Sequence, residues 1–448
     1  MSKGTGYAGG LLQLANAEAH EAQAVLQSLQ AGVVPHAGLQ HLAVGRVPEL
    51  RHTLAELDVL GRGGGVFRVV LGDYGAGKTF FLRLLRQVAL SQGYLVADAD
   101  LGPDLRLRGD GRGLTTYRHL LANLASDSRP DGGALPLLLD RWSDGVRAAA
   151  ALRLGLAPGA EAARSPALAQ ALDRELRSHL QELRELPRGF AWAAVLRRYL
   201  EAAFAGDGET AAAAQRLLRG EFATRGEVRA ALGLTDAAPV ADGDWHEHLR
   251  LLARTAVQAG YRGLLVMLDE GGHLASIPQA DARSANYEVL LGLLNDALQG
   301  RARHLGLYLA GPPSMLRDAR RGLYSYPALA SRLRTNPYAD AEHRDLAQPV
   351  LELMPLTGEE LLALFLKVRD LHSRLYGESR LSPDAVAAFL EGLLARPGAE
   401  RFLTPREALR AFLQALNLLQ QHPELDPSAV LGTAAQDLAD GRFVLLES

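Results

Sequence analysis

Short apolar runs broken by glycine alternate along this chain with longer segments of helical periodicity. "VFRVVLG" (66–72) is rich in β-branched residues, is bounded by glycines and predicts a buried strand. "YLVADADL", "GLLVMLDE" (263–270) and "LGLYLAG" (305–311) read the same way. Helical segments sit among them: "KTFFLRLLRQVALSQG" after the first strand, "GLTTYRHLLANLA" after the second, and "NYEVLLGLLNDALQG" before the fourth. Strand, loop, helix and strand in that order make a βαβ unit, which predicts an α/β fold with a parallel sheet and flanking helices.

The flanks are helical. Residues 11–30 predict a helix that stops near Gly32, and "VVPHAGL" predicts a turn. An amphipathic helix with Leu50, Leu54 and Leu57 on one face leads into the first strand. Residues 1–10 are glycine-rich, and disorder is expected there. The stretch 126–235, richer in Ala, Arg, Pro and Gly, reads as a helical insertion. Beyond Pro349 no strand signal stands out. "TGEELLALFLKVRDLHSRLYG", "SPDAVAAFLEGLLA" and "TPREALRAFLQALNLLQQ" read as helices with Thr, Ser or Pro starts. The expected organisation is an N-terminal helical segment (1–40), a core (41–340) carrying the insertion, and a C-terminal helical domain (341–448). No repeat of 20 to 50 residues is visible.

Composition narrows the chemistry. A net charge of −3 argues against a broadly basic nucleic-acid coat, although a local arginine stripe would still bind phosphate. There are no cysteines, so disulfides and thiolate metal sites are excluded. His246 and His248 in "WHEHL" lack a third ligand, and no structural metal is expected. No signal peptide and no run of 18 apolar residues is seen, so the expected location is cytoplasmic, with no membrane partner. The arginine and alanine bias fits a GC-rich bacterial genome and deprives most arginines of functional meaning. Only three of the 448 residues are lysine, at positions 3, 78 and 367.

Lys78 lies in "GDYGAGKT", a full G-x-x-x-x-G-K-[ST] pattern formed by Gly72, Gly77, Lys78 and Thr79, placed after a strand and opening a helix. Its glycines permit backbone angles that turn several N–H groups into one concavity, able to hold phosphate oxygens. The helix start adds roughly half a positive charge there. A narrow loop needs an ammonium on a thin stem; a flat guanidinium has the wrong shape. Residues 72–80 (Gly72, Asp73, Tyr74, Gly75, Ala76, Gly77, Lys78, Thr79 and Phe80) are therefore the candidate nucleotide-binding set, with Thr79 offering its hydroxyl to Mg²⁺. "LLVMLDE" supplies the second element: Asp269 to hold the Mg²⁺ shell and Glu270 to polarise an attacking water. Solvated carboxylates at a strand end are the simpler alternative. No N-K-x-D element that would read guanine is present, so the expected cofactors are ATP and Mg²⁺.

Further segments resemble ATPases of the AAA+ class. The strand ending "LAGPPSML" would there carry a polar residue touching the γ-phosphate; Pro312 and Pro313 occupy that place, leaving Ser314. In "YPALASRLRTNP" Arg332, with Arg334 second, resembles the arginine finger given to a neighbour's site. Arg406 in "LTPREALRAF" stands where a second sensor arginine of the lid would lie. "AVGR", with Glu49 after it, resembles the segment along the adenine in origin-recognition-type relatives, making Val44, Gly45 and Arg46 adenine-side candidates.

Together, "GVVPHAGLQHLAVGR", the "GDYGAGKTFFLRLLRQVALSQGYLVADADL" stretch, "LVMLDEGGHL", "NDALQGRARHLGLYLAG", "RRGLYSYPAL" and "LTPREALRAFL" resemble the ATP-binding proteins of BREX phage-defence systems, of the BrxD type. The 126–235 stretch carries none of the resemblance. It implies an AAA+-like, origin-recognition-type P-loop NTPase with a helical lid, hydrolysing ATP beside other defence-system proteins. DNA as a partner and a homo-oligomer are left open. Two glycines after Glu270 depart from the usual pattern and are expected to loosen that loop. Two rival readings stand beside this one: a nucleotide-dependent scaffold or switch with little turnover, and a DNA-loading ATPase whose last residues, "GRFVLLES", would form a short strand.

Overall fold

The computed structural model describes residues 19–155, 166–340, 343–395 and 404–439. The expectations for residues 1–10, for the start of the first helix and for "GRFVLLES" lie outside these. The chain divides into two compact units, one gathering residues 1–52, 71–85 and 352–448, the other residues 53–70 and 86–351.

The second unit is built on a five-stranded sheet in the order β2-β3-β4-β1-β5. The strands are β1 (Val66–Leu71), β2 (Leu95–Asp100), β3 (Leu264–Asp269), β4 (Leu305–Gly311) and β5 (Val350–Glu352). β2 and β3 run parallel with Asp100 opposite Asp269, and β3 and β4 run parallel with Leu268 opposite Leu309. Every residue of β1, β3 and β4 is buried, which is what near-continuous apolar runs demand in a sheet covered on both faces. β5 corrects the expectation of no strand beyond Pro349. It pairs through Val69 N–H to Pro349 O (2.8 Å) and Leu353 N–H to Leu71 O (2.7 Å). Three residues are too few to show a period of two.

The described residues of 126–235 carry the helices Leu135–Arg153, Pro166–Arg184, Gly189–Ala205, Gly208–Leu218 and Arg225–Leu232. Two of the chain's three tryptophans, Trp142 and Trp192, fasten this region, and Trp245 ties the following helix to the loop after β2, each burying its ring while its N–H finds an acceptor. Trp142 donates to Gln258 (3.0 Å) and Trp192 to Thr255 (3.1 Å), both on helix Trp245–Gln258. Trp245 donates to the Leu107 carbonyl at 2.8 Å.

The first unit is a helical bundle: Ala19–Gln30, Gly358–Tyr376, Pro383–Leu394, Pro405–Gln421 and Pro427–Ala439. The last of these has no counterpart among the expected helices. Phe365, Phe389 and Phe412 cluster at its centre with ring centroids 4.9–6.1 Å apart. The helix starts are set by side chains: Thr357 with Glu360 and Thr404 with Glu407 form capping boxes, and Ser382 accepts from the Ala385 N–H. Among the described residues no helix is long and apolar enough to cross a membrane.

Candidate nucleotide site

β1 ends at Leu71 and a 14-residue helix begins at Lys78, so residues 72–77 form the turn joining them. Gly75 and Gly77 hold φ of +78° and +86°, conformations L side chains rarely adopt. Gly77 has nothing within 4 Å of the place a Cβ would take, so its backbone angle alone calls for glycine. At Gly72 the reason is space: a Cβ would lie 3.0 Å from the Ala76 Cβ and 3.3 Å from the Lys78 Cγ. The lysine stem therefore runs over a surface that must stay bare. Its Nζ donates to the carbonyls of Gly72 (2.8 Å) and Asp73 (3.0 Å), which sets the ammonium inside the turn. The start of the helix leaves N–H groups without intrahelical acceptors at the same point. Ammonium, bare glycines and helix start form a donor set that fits phosphate oxygens.

The loop is tied to the rest of its own unit. Arg46, at φ +55°, donates from Nη2 to the Ala76 carbonyl at 2.9 Å. Its Nη1 stands 3.8 Å from the buried Glu49 carboxylate. Gly45, at φ +60°, faces Glu360 so closely that a Cβ would collide with the carboxylate. Lys367 donates to the Ala43 carbonyl at 2.6 Å, and burial pulls its pKa below that of an ordinary lysine. Val44 packs partly buried against the bundle core. The three adenine-side candidates thus line one segment strapped to the phosphate loop on one side and to helix Gly358–Tyr376 on the other. Phe80 is a packing residue, partly buried against Leu39, Ala43 and Leu84. Thr79 follows Lys78 in the first turn of the helix. Arg406, the second residue of helix Pro405–Gln421, donates from Nη1 to the Tyr74 hydroxyl at 3.2 Å. Its guanidinium carbon lies 5.8 Å from the Tyr74 ring centroid.

In the second unit, Asp269 closes β3 with only 7% of its surface exposed, and its Oδ1 accepts the Glu270 N–H at 2.8 Å. Glu270 turns out of the strand at φ +55°, an uncommon angle for a side chain-bearing residue, and is exposed. The two glycines that follow do not loosen the turn, which corrects the sequence expectation. Gly271 donates to the Ala310 carbonyl at 2.8 Å. A Cβ there would meet Met315 Sδ at 2.6 Å, Leu309 Cδ1 at 2.8 Å and Ala310 O at 2.9 Å. A Cβ on Gly272 would lie 3.1 Å from Pro312 Cδ. The turns after β3 and β4 interlock, and the glycines are the clearance between them.

Pro312 and Pro313 begin the helix Pro313–Arg317, where a proline's missing N–H costs nothing; Ser314 beside them is exposed. Arg332 ends helix Pro327–Arg332, donating from Nε to Asn295 Oδ1 at 2.7 Å and from Nη1 to the Ala328 carbonyl at 2.9 Å. Arg332 and Arg334 are both exposed. Two residues that order the loop after β2 escaped the sequence reading. Asn286, fully buried, accepts the N–H groups of Leu107 and Arg108. Asp242 accepts those of Gly109, Gly113 and Leu114. Partners more than 120 residues apart leave no local signal.

A sequence model of the family described as "BREX system ATP-binding protein BrxC/D" matches residues 17–435, running through the helical insertion as well as the loop and the acidic strand end. The chain belongs to that family. None of the curated proteins compared with it matches. Membership in the BrxC/BrxD family makes ATP the ligand against which the loop is judged, and the donor set of residues 72–79 fits its phosphates. Hard oxygen donors, the Thr79 hydroxyl and the Asp269 carboxylate, have the chemistry for Mg²⁺.

Proposed function

We propose that this BREX protein is a P-loop ATPase of the AAA+ type, with the helical bundle of its first unit serving as a lid, and that it uses ATP hydrolysis to act on another component of the defence system or on DNA. The observation that carries the reading is the Lys78 ammonium seated in a turn whose glycines adopt positive φ, at the head of a helix, in a chain of an ATP-binding family.

In this reading Lys78 and the loop N–H groups bind the β- and γ-phosphates. Gly72, Gly75 and Gly77 keep the turn open, and Asp73, Tyr74 and Ala76 complete it. Thr79 and Asp269 hold the magnesium ion, which supplies charge neutralisation on the phosphate oxygens. Glu270 accepts a proton from the attacking water, for which an exposed carboxylate at a strand end is suited. Arg332 serves a neighbouring copy of the chain, offsetting charge that develops in transfer, a role for which an exposed guanidinium is required. Arg406 reads the terminal phosphate from the lid side. Val44, Gly45 and Arg46 line the adenine side, and Arg46 also braces the loop through Ala76.

Phosphate release by the purified protein with Mg²⁺ and ATP tests the reading. Turnover that vanishes in Lys78→Ala supports it; turnover untouched by that change removes the loop from the chemistry. A nucleotide-dependent switch with little turnover is the second reading, favoured by the packing of Pro312 on Gly272 where a polar γ-phosphate contact would otherwise stand. Nucleotide binding with no phosphate release, alone or with DNA, would select it.

A further inference from the structure

Tyr74 is 70% exposed, an unusual place for a large ring, and the phosphate cradle needs only the backbone at this position. Its side chain instead meets Arg406. The Tyr74 hydroxyl accepts from Nη1 at 3.2 Å, and the guanidinium carbon stands 5.8 Å from the ring centroid, within cation–π range. Neighbouring contacts reinforce this one. Gly75, the next loop residue, lies so near Thr404 that a Cβ would stand 2.6 Å from the threonine Cβ. Thr404 caps the helix on which Arg406 is the second residue. On the far side the Arg406 stem passes Gly32, whose Cβ position is 3.8 Å from the Arg406 Cδ. The arginine is thus guided at its root by the capping box, along its stem by Gly32, and at its head by Tyr74.

We infer that Tyr74 is a positioning residue for Arg406, holding its guanidinium at the phosphate loop so that the lid distinguishes a triphosphate from a diphosphate. The inference rests on the proposed role of Arg406. A tyrosine suits the task because it is a neutral acceptor with a flat face. It removes rotamer freedom from a long side chain before binding. It also yields readily to a phosphate, whose charge-assisted bonds to a guanidinium are about twice as strong as neutral ones. A carboxylate at this position would capture the arginine instead of presenting it.

The test is a set of calorimetric titrations with ADP and with a non-hydrolysable ATP analogue, both with Mg²⁺, on the full chain. Wild type, Tyr74→Phe, Tyr74→Ala, Arg406→Ala and the double variant Tyr74→Ala/Arg406→Ala are compared. Arg406→Ala is expected to lower the preference for triphosphate over diphosphate about tenfold, within the range usual for coupled sites. Tyr74→Ala should lose about half of that effect on a logarithmic scale and Tyr74→Phe less, each weakening the triphosphate analogue more than ADP. The double variant should match Arg406→Ala alone. Tyr74→Ala that weakens both nucleotides equally, or adds in full to Arg406→Ala, overturns the inference, because a merely structural loop residue behaves that way. An effect of Arg406→Ala with Tyr74→Ala silent also overturns it, leaving the role of Arg406 standing. Arg406→Ala with the preference intact removes the lid arginine and this inference together.

Discussion

Two turns of this molecule follow buried strands and spend glycines, yet for different physical reasons. In the turn after β1, Gly75 and Gly77 sit at positive φ, and nothing lies within 4 Å of the place a Cβ on Gly77 would take. In the turn after β3, the positive φ belongs to Glu270, while Gly271 and Gly272 are glycine because Met315, Ala310 and Pro312 press against them. Gly77 is glycine for the path of its backbone, Gly271 and Gly272 for the approach of another segment. A motif records the former kind. The latter kind depends on residues about forty positions away in the chain, and a single sequence carries no sign of it.

The widest separation between the two turns should come from their charged residues. Lys78→Ala, which removes the ammonium from the first, is expected to weaken nucleotide binding by roughly 10²- to 10³-fold, as breaking a desolvated charge pair does. Isothermal titration would show it. Glu270→Gln, in the second, should leave that affinity within about twofold while turnover falls about 10²- to 10⁴-fold, the usual contribution of a general base. Turnover preserved in Glu270→Gln would strip that residue of its role and leave the second turn a packing feature only.

A smaller effect addresses the glycines themselves. Gly271→Ala introduces a methyl into a space bounded at 2.6–2.9 Å by Met315 Sδ, Leu309 Cδ1 and Ala310 O. Overpacking of this kind costs about 1–3 kcal/mol, so the melting temperature should drop by a few degrees even without nucleotide. Gly77→Ala meets no neighbour and pays only for its backbone angle, about 1–2 kcal/mol. Its main consequence should be on nucleotide affinity. Equal melting shifts with equal binding losses in the two variants would erase the distinction.

Legibility followed the same line. β1 to β4 and the capped helices of the bundle stood out because their signals are local: apolar runs over six or seven residues, or a Thr three positions ahead of a Glu. The candidate phosphate loop is plain in the sequence because its glycines, lysine and threonine keep fixed spacing. β5 was invisible, since Val350–Glu352 is held by hydrogen bonds to residues near 70 and not by any pattern of its own. Arg406 was singled out from its place in a family pattern, yet its contact with Tyr74 spans 332 residues and appears only in the folded chain. Lys367 lies in a segment with plain helical periodicity, and nothing local shows that its ammonium holds the carbonyl of Ala43, 324 residues away.

The gentlest comparison is between the two compact units as acid is added. Burial lowers the pKa of His179, His246, His248 and His304 in the second unit, and of His372 in the first. Above about pH 6.5 these rings are neutral whether the chain is folded or not, and they leave stability unchanged. Below that value the unfolded chain binds protons that the folded one resists, so stability falls with pH until each folded ring reaches its own lower pKa. Each histidine can cost at most about 1.4 kcal/mol per pH unit across that window. Four such rings against one predict that amide protection, taken relative to the intrinsic exchange rate at each pH, falls more between pH 7.5 and 5.5 in the sheet and insertion than in the bundle. His372, whose Nε2 meets Asn417 Oδ1 at 3.0 Å across two of its helices, should account for most of the bundle's share, because burial outweighs that contact and lowers its pKa. Replacing it with Gln, which preserves a donor without a titrating group, should flatten the pH response of the bundle and leave that of the other unit as it was; an unchanged slope in the bundle would place its acid sensitivity in groups other than His372.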